Sequence, residues 1–493
     1  MLKRIIIFIL IFIIFLSSCG GTAENVKSDA ATSAADNTVE IKSEFIPVGG
    51  INYEGYNFRI LGYDGQARGT WYAATISEIF VEETTGDPIN DSVWQRNRTV
   101  EALYNIEIGI VPVTYPNRGD FATLFSKGVL AGDDLFDAAF LLGSGIPQIL
   151  GQKNMTYDLL TIPALDLSKS WWDKNSIADL SIGGKLNMVI GDVNLYSAFA
   201  SVVVFANKQI IQDYEIENLY QLVRDNKWTW SKMHEISKIV SRDLNGDNIY
   251  DFNDQLGLVV QQQYMYDAAI SAGGVLTPKN KEDIPELKPN TEKIISIIDS
   301  ILQVFIDKEC TIFSPDVKGF NNVHFEWSMP KFKDGEIMFI PNQLMFGFDL
   351  RGMDSDFAIL PLPKYSETEK NYGTVIQPSW GTFTVIPVTC ADTEMTANIL
   401  QALGYYAQQE ILPAYYDKLI KNKIMRDEES AEMLDLISAN IRHDLSLYYA
   451  WGNMVQMFID IVNSRANTFE SSFAKIENII SAAIQKTLDE LQT

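Results

Sequence analysis

A twelve-residue segment, residues 243–254, carries oxygen-bearing side chains at the spacing of a calcium-binding loop. Carboxylate or amide oxygens stand at positions 1, 3, 5, 9 and 12, and position 7 offers a backbone carbonyl. Calcium takes about six to eight hard oxygen ligands at ~2.3–2.6 Å, and this spacing wraps them around one point. The predicted ligands are Asp243, Asn245, Asp247, Ile249, Asp251 and Asp254. We expect a structural Ca²⁺ site, because full protein ligation leaves no open position for chemistry.

The loop departs from the EF-hand pattern in two places. Position 6 is Asn248 instead of glycine, although asparagine tolerates the left-handed backbone better than most residues. Position 12 is Asp254 instead of glutamate, so the last ligand reaches less far. The alternative to a metal site is an acidic turn whose side chains bond to their own backbone.

An export signal is indicated by the first residues of the sequence. Two basic residues precede an apolar run, residues 5–16, which is shorter than the roughly 20 residues that a membrane-spanning helix needs. The following Leu16-Ser-Ser-Cys19 resembles the bacterial lipobox, which implies a lipoprotein signal peptide over residues 1–18 and lipidation of Cys19. We expect a lipid anchor on the extracellular face of a bacterial cell membrane. An ordinary secretory leader with an incidental cysteine is the alternative.

Composition narrows the classes of function. Residues 19–49, which begin with the lipidated cysteine, are rich in small and polar residues and are predicted to form a flexible tether. The remaining ~440 residues exceed what one core usually organises, so two domains are expected. The formal charge of −25 excludes nucleic acid as a partner, because such a chain repels polyanions.

Cys310 and Cys390 either pair in a disulfide or remain as buried thiols.

The elements that must position the site alternate between strand and helix. Strands are predicted at 57–62, 106–111 and 135–142, and helices at 91–104, with Asn90 or Asp91 as its N-cap, and at 121–130. This order implies a mostly parallel sheet with right-handed crossovers, and such sheets bind ligands beyond the carboxyl ends of their strands. Later strands are expected at 186–191, 202–206, 337–341, 357–361 and 382–387, and long amphipathic helices at 292–306 and 473–491.

Two segments have the chemistry of a sugar site, in which flat rings face apolar C–H surfaces and polar groups bond the hydroxyls. Trp172 precedes an aspartate, and Trp380 and Gly381 lie in a Gln-Pro-Ser-Trp-Gly loop. Gly143 and Ser144 directly follow a predicted strand, so they are placed in a cleft loop. Core packing is the alternative for each tryptophan. Consecutive tryptophans cannot share a face, so at most one of Trp171 and Trp172 is expected to face the ligand.

Four segments, taken in order, resemble the family 1 extracellular solute-binding proteins, the sugar-binding lipoprotein subunits of ABC importers. They are the lipobox, Phe205-Ala-Asn-Lys208 after a strand, Lys227-Trp-Thr-Trp230 before a helix, and Phe332-Lys-Asp-Gly-Glu-Ile-Met-Phe339. No single segment is diagnostic, but their order and spacing are similar to the family over nearly the whole mature chain.

The resemblance implies an α/β, two-lobed periplasmic-binding-protein-like fold with discontinuous lobes and a hinge cleft. One lobe would comprise residues 50–195 plus 380–440, and the other 196–379 plus 441–493, including the calcium-type loop. It also places ligand groups where the chain leaves two strands. These residues are Asp192, Asn194, Asn342 and Gln343, for which capping or turn roles are the alternative.

The implied function is that of a monomer that closes on a carbohydrate and delivers it to the membrane permease subunits of an ABC importer. A surface glycoside hydrolase, or a receptor or scaffold lipoprotein on the same fold, is the alternative. The sequence has no Gly-x-Ser-x-Gly, Walker or His-Glu-x-x-His motif, and its three histidines (His234, His324 and His443) lie far apart. We therefore expect no enzymatic activity.

Overall fold

The computed structural model describes residues 50–63, 76–113, 118–350, 352–415 and 428–491. The predicted signal peptide, Cys19 and the tether lie outside these residues. Among the described helices, none combines the length and the apolar character that a membrane crossing requires.

The first sheet has four strands in the order β10-β3-β1-β2. Strand β1 pairs in parallel with both β2 and β3, as the strand-helix-strand order predicts. Strand β10 comes from far along the chain and pairs antiparallel with β3, so that Thr382 lies opposite Leu142. The strands are β1 Tyr56–Tyr63, β2 Ile106–Val113, β3 Ala138–Leu142 and β10 Thr382–Val385.

The second sheet has five strands in the order β6-β5-β7-β4-β8. Strands β6, β5 and β7 run parallel, whereas β4 is antiparallel to both β7 and β8. A separate two-stranded parallel ribbon joins β9 to β11. The strands are β4 Val202–Asn207, β5 Leu256–Val260, β6 Thr311–Phe313, β7 Ile337–Gln343, β8 Phe357–Leu360, β9 Thr374–Val375 and β11 Ile441–Arg442.

Seventeen α-helices are described around these sheets. In chain order they are α1 Pro88–Tyr104, α2 Arg118–Ala131, α3 Ile146–Ile149, α4 Lys174–Leu180, α5 Leu195–Phe199, α6 Lys208–Asp213, α7 Leu219–Arg224, α8 Trp230–Val240, α9 Tyr264–Ser271, α10 Thr291–Phe305, α11 Met329–Lys333, α12 Gly347–Leu350, α13 Thr393–Tyr406, α14 Glu428–Ala439, α15 Leu445–Tyr448, α16 Met454–Ser464 and α17 Phe469–Leu491.

Two of the predicted elements differ from the structure. Helix α1 is capped by Asp87, whose Oδ1 accepts from Ile89 N–H at 3.0 Å, and Pro88 supplies the first turn, so the cap expected at Asn90 or Asp91 is wrong. Residues 186–191 form isolated bridges to Trp172 and Thr384 instead of a strand. Of the two alternatives left open for Cys310 and Cys390, the structure has the buried free thiols.

Helix α14 contacts both lobes. Ser430 Oγ accepts from Ile359 N–H in β8 at 3.3 Å, whereas the Ala439 and Ile441 carbonyls at its other end accept from Asn175 in α4. The resemblance assigned residues 428–439 to the first lobe, but these contacts join α14 to β8 of the second sheet as well as to α4. The predicted lobe boundaries therefore stay predictions.

Candidate ligand-binding cleft

The carboxyl ends of the parallel strands in both sheets lie at the edges where the chain crosses between lobes. In the first sheet, β3 ends at Leu142 opposite Thr382, the residue at which the chain enters β10 from the second lobe. In the second sheet, β7 ends at Gln343 opposite Val202, the residue at which the chain enters β4 from the first lobe. Both carboxyl edges therefore border the same crossing segments. This is the position at which α/β sheets bind ligands.

The crossing segments are bonded to one another. Ser201 bridges Ile376, and Gln377 N–H donates to the Ala200 carbonyl at 3.3 Å. The ribbon of β9 and β11 adds a second connection, and Thr374 Oγ1 donates to the Val202 carbonyl at 2.7 Å. The connection between the sheets is thus a small bonded unit and not a set of loose linkers.

Four of the predicted ligand residues come together at the end of β3. Gly143 N–H donates to the Gly381 carbonyl at 3.0 Å, and Ser144 N–H donates to the Pro378 carbonyl at 2.8 Å. The approach is so close that a Cβ on Gly143 would lie 2.8 Å from Pro378 Cα. Ser144 is exposed and Trp380 is half-buried. The end of β3 thus places exposed Ser144 beside the loop that carries half-buried Trp380.

Two further predicted residues, Asn342 and Gln343, belong to a buried polar network at the end of β7. Tyr264 O–H donates to Asn342 Oδ1 at 2.7 Å and is 3.2 Å from Gln343 Oε1. Asn342 Nδ2 donates to His324 Nε2 at 2.8 Å, and Ser328 Oγ lies 3.4 Å from His324 Nδ1. Burial lowers the pKa of His324 to about 3, so the imidazole is neutral. Asn342 is fully buried, which makes it a support for the edge of the sheet.

The remaining three, Trp172, Asp192 and Asn194, line a cavity of about 250 Å³ beside helix α5. Ser201 and Ile376 of the crossing segments line the same cavity, as does Leu344 directly after Gln343. Trp172 is only 2% exposed, and its indole N–H donates to Gln401 Oε1 at 3.0 Å. The indole N–H of Trp171 donates to the same oxygen at 2.6 Å, so both neighbouring tryptophans are held in the core. Asp192 accepts from Gln408 at 2.9 Å.

Asn194 has an unusual environment in this cavity. Its Oδ1 accepts from Gly191 N–H and from Thr384 Oγ1, both at 3.0 Å. Its Nδ2 is buried and has no partner among the described residues, which is costly unless a ligand or water bonds it. The nine predicted residues therefore form three groups, and a direct role in binding stays a prediction for each of them.

Sequence reasoning missed the polar residues at the end of β5. Gln261, Gln262 and Gln263 directly follow the buried strand Leu256–Val260 and are all half-buried. Because β5 and β7 are parallel neighbours, these amides lie at the same edge as Gln343. The sequence did carry a signal for them, namely three consecutive glutamines directly after a buried strand of five residues. Amides of this kind suit the hydrogen-bonding of sugar hydroxyls.

A buried carboxyl connects the second lobe to a crossing segment. Asp267, in the first turn of α9, accepts a hydrogen bond from the side-chain amide of Gln377. Its other oxygen has no partner among the described residues. Burial raises the pKa of this carboxyl to about 7. The protonation of Asp267 is therefore expected to change near neutral pH.

The calcium-type loop has the backbone that the prediction requires. Asn248 adopts φ +62°, the left-handed conformation expected at position 6. Asp243 accepts from the amides of Gly246 and Asn248, both at 2.7 Å, and the Asn248 amide is the main cause that lowers the pKa of Asp243. Asp254 is buried and accepts from Leu244 and Asp251.

The carboxylates of Asp243 and Asp254 accept hydrogen bonds from different backbone amides instead of facing one common point. In the described residues, the loop offers no three acidic side chains whose ligand atoms all lie within 4.8 Å of one another. The backbone thus fits calcium, and the side chains would have to move inward to bind it. Ca²⁺ binding stays a prediction.

Comparison with known proteins gives matches among solved structures only. No protein-family model matches the chain, and no curated protein matches it. An ABC substrate-binding protein from Listeria monocytogenes, in complex with cycloalternan, is 13% identical and has a TM-score of 0.54; the match covers 87% of this chain and 99% of that one. A sugar transporter from Rhizobium etli, in an open conformation, is 11% identical with a TM-score of 0.57, over 89% and 100% of the two chains.

A cyclo/maltodextrin-binding protein complexed with maltotetraose is 13% identical with a TM-score of 0.53, over 89% of this chain and 97% of that chain. At these identities the likeness establishes the fold. The chain has the two-lobed α/β fold of the substrate-binding proteins of ABC importers, which confirms the predicted fold class. The fold is also consistent with the resemblance to the family 1 solute-binding proteins.

Proposed function

We propose that this protein binds a carbohydrate between its two lobes and delivers it to the permease of an ABC importer. The observation that carries the proposal is the cleft edge, where Ser144, half-buried Trp380 and the glutamines 261–263 lie at strand ends of a fold shared with sugar-binding proteins. An indole beside hydroxyl and amide groups is the chemistry that recognises a sugar ring.

In this proposal the bonded crossing segments act as the hinge. A ligand that contacts both carboxyl edges only when they approach each other stabilises the closed state by its extra contacts. Residues 200–202 and 374–377 would absorb the change in backbone angles while keeping the two sheets intact. The closed form would then dock on the permease.

The proposal assigns separate roles to the residues of the cleft. Trp380 stacks on the sugar, and Ser144 and the glutamines after β5 bond its hydroxyls. Asn342 holds Tyr264 and the end of β7 in place, because its side-chain oxygen and nitrogen are both bonded inside the protein, and Gln343 Oε1 lies 3.2 Å from the same Tyr264 hydroxyl. Gly143 and Gly381 allow the loops of the first lobe to approach closely.

A paired measurement on Trp380→Ala tests this assignment. A panel of sugars, headed by cycloalternan and maltotetraose, is first screened by thermal shift to find a ligand. Loss of one stacked ring should then weaken binding by roughly ten- to a hundredfold, equivalent to about 1–3 kcal/mol, while the melting temperature is retained. A strongly destabilised variant that binds sugar normally would place Trp380 in the core and refute its role.

Trp228→Phe is the matched control. Trp228 is fully buried, and its indole N–H donates to the Pro361 carbonyl at 2.9 Å. Its replacement should lower stability by about 1–3 kcal/mol, because that carbonyl loses its partner, and should leave sugar affinity unchanged. A fall in affinity in both variants would show that the assay reports folding.

We also propose that the protein does not hydrolyse its ligand. Prolonged incubation of the protein with each bound oligosaccharide should return the sugar intact. A product that forms in proportion to protein concentration would favour a glycoside hydrolase, and the absence of binding to every sugar would favour a receptor or scaffold role.

Two further parts of the proposal are the lipid anchor at Cys19 and the calcium ion in the loop 243–254. We propose that Cys19 carries the lipid that anchors the protein, which the Leu-Ser-Ser-Cys sequence supports. We propose that Ca²⁺ binds residues 243–254 as a structural ion, which the spacing of the oxygens and the left-handed Asn248 support. The protein would act as a monomer.

A further inference from the structure

A group of three potential metal ligands lies in the second lobe, outside the cleft. The ligand atoms of His234, Asp307 and Cys310 all lie within 4.8 Å of one another. His234 Nε2 is 2.7 Å from Asp307 Oδ2. The side chains of His234 and Asp307 are 18% and 17% exposed, whereas Cys310 is fully buried. The group thus has one side open to solvent and one side in the core.

A tight turn positions two of the three ligands. Asp307 Oδ1 accepts from Glu309 N–H at 3.1 Å, and the Asp307 carbonyl accepts from Thr311 N–H at 2.9 Å. This turn closes helix α10 and starts β6, and it places the Asp307 carboxylate and the Cys310 sulfur on the same side. His234 comes from α8, which packs beside the turn. The turn is also tied to β5, because Leu258 N–H donates to the Cys310 carbonyl at 3.0 Å.

We infer that His234, Asp307 and Cys310 form a binding site for a zinc-type divalent ion, with the fourth position open to water at the surface. Imidazole nitrogen, carboxylate oxygen and thiolate sulfur are the three donor types that zinc selects. Tetrahedral zinc, with bonds of ~2.0–2.3 Å, holds its ligand atoms about 3.3–3.8 Å apart. The 2.7 Å contact between His234 and Asp307 must therefore widen by roughly 0.6 Å to admit the ion.

Two features of the metal-free group must change when the ion binds. Lys238 Nζ lies 2.9 Å from Asp307 Oδ2, and this long, half-exposed side chain has to leave the carboxylate. The buried Cys310 thiol must lose its proton to act as a ligand, because the thiolate is the form that binds a metal. Binding forms a zinc–sulfur bond and releases the thiol proton to solvent, and affinity should therefore rise with pH.

The alternative is an ordinary polar cluster, in which the Asp307 carboxylate bonds to His234 and Lys238 and no metal binds. That arrangement explains the His234 and Lys238 contacts, and in it the Cys310 thiol donates a weak hydrogen bond to the Asp307 carbonyl at 3.9 Å. It does not use the sulfur as a ligand. A bound ion would connect α8 to the turn between α10 and β6, and through Leu258 to β5. The inferred metal site lies outside the cleft and does not depend on the proposed sugar-binding function.

Titration of the full chain with Co²⁺ tests the site, since tetrahedral cobalt with a thiolate ligand has a near-ultraviolet sulfur-to-metal band and strong visible bands. We expect one equivalent of Co²⁺ to produce these bands and Zn²⁺ to abolish them. Cys310→Ser should lose the sulfur band. Cys390→Ser and Cys19→Ser should retain it, because the protein has only these three cysteines.

His234→Gln keeps the test valid if the buried Cys310→Ser variant does not fold. Loss of this half-buried ligand should weaken zinc binding at least about tenfold, since even the loss of a residue that only orients a ligand costs that much. Lys238→Gln should strengthen binding, because it removes the competing ammonium. An absent sulfur band, a band that survives in Cys310→Ser, or equal zinc affinity in wild type and His234→Gln would overturn the inference.

Discussion

Replacement of Asp267 by asparagine should change how the stability of the protein depends on pH. Asp267 is 1% exposed, one of its carboxylate oxygens has no partner among the described residues, and burial raises its pKa to about 7 from an ordinary value of 3.8. Asparagine has the same shape and can still accept the hydrogen bond from Gln377 through its carbonyl oxygen. Asp267→Asn therefore removes the charge and keeps the packing.

The sign and size follow from proton linkage. Between about pH 4 and pH 7 the folded chain holds a proton on Asp267 that the unfolded chain has lost, so the free energy of unfolding falls as pH rises. Each pH unit in this range lowers the free energy of unfolding by about 1.36 kcal/mol, and the total decrease over the range reaches ~4 kcal/mol. At pH 4 the variant and the wild type should be nearly equally stable. At pH 8 the variant should be more stable by up to ~4 kcal/mol.

Urea unfolding of both proteins at pH 4, 5, 6, 7 and 8 measures this difference. Asp444, whose carboxyl pKa is also raised by burial, adds a slope of the same sign to both proteins, so the argument depends only on the difference between the two curves. Asp213→Asn, at an exposed carboxylate bonded to Gln209, is the control and should follow the wild type. Parallel curves for Asp267→Asn and wild type would refute the reasoning.

Two remaining predictions concern the acidic loop and the lipid anchor. After chelation, Ca²⁺ should raise the melting temperature, with a stabilisation of about 2.7 kcal/mol at a hundredfold excess over Kd, and the double change Asp243→Ala, Asp247→Ala should abolish the increase. If chelated wild-type protein melts at the same temperature with and without Ca²⁺, the loop is only a turn. Cys19→Ala should release the protein from membranes or leave it as precursor. Labelling with a palmitate analogue that persists in Cys19→Ala would exclude this anchor.

Local patterns were sufficient to predict seven of the nine strands in the two larger sheets and four of the longer helices. The strand at 57–62 lies within Tyr56–Tyr63, and the helix at 292–306 matches Thr291–Phe305 within one residue at each end, because both have a clear apolar period. The helix start was missed at Asp87 because the apolar period, and not the Asp-Pro pair, was used to locate it. The expected strand at 186–191 fails because only single residues of it pair with neighbours.

The grouping of the site residues was not available from local patterns. Gly143 and Gly381 are adjacent only because β10 returns to the first sheet, and no spacing rule predicts that pairing. Trp172 and Trp380 occur in similar polar segments, yet one indole is buried against Gln401 and the other is half-buried. What separates them is tertiary packing, which the sequence pattern does not encode.

The place of β10 in the first sheet determines the order in which the lobes can form. All strands of the second sheet lie within residues 202–360, so that sheet can pair as soon as this stretch is available. The first sheet cannot be completed until residues 382–385 are available, because Thr382 is the pairing partner of Leu142 at the end of β3. Long-range pairing of this kind is slow, and a strand edge exposed meanwhile is prone to aggregation. The N-terminal lobe should thus finish folding last, although it is synthesised first.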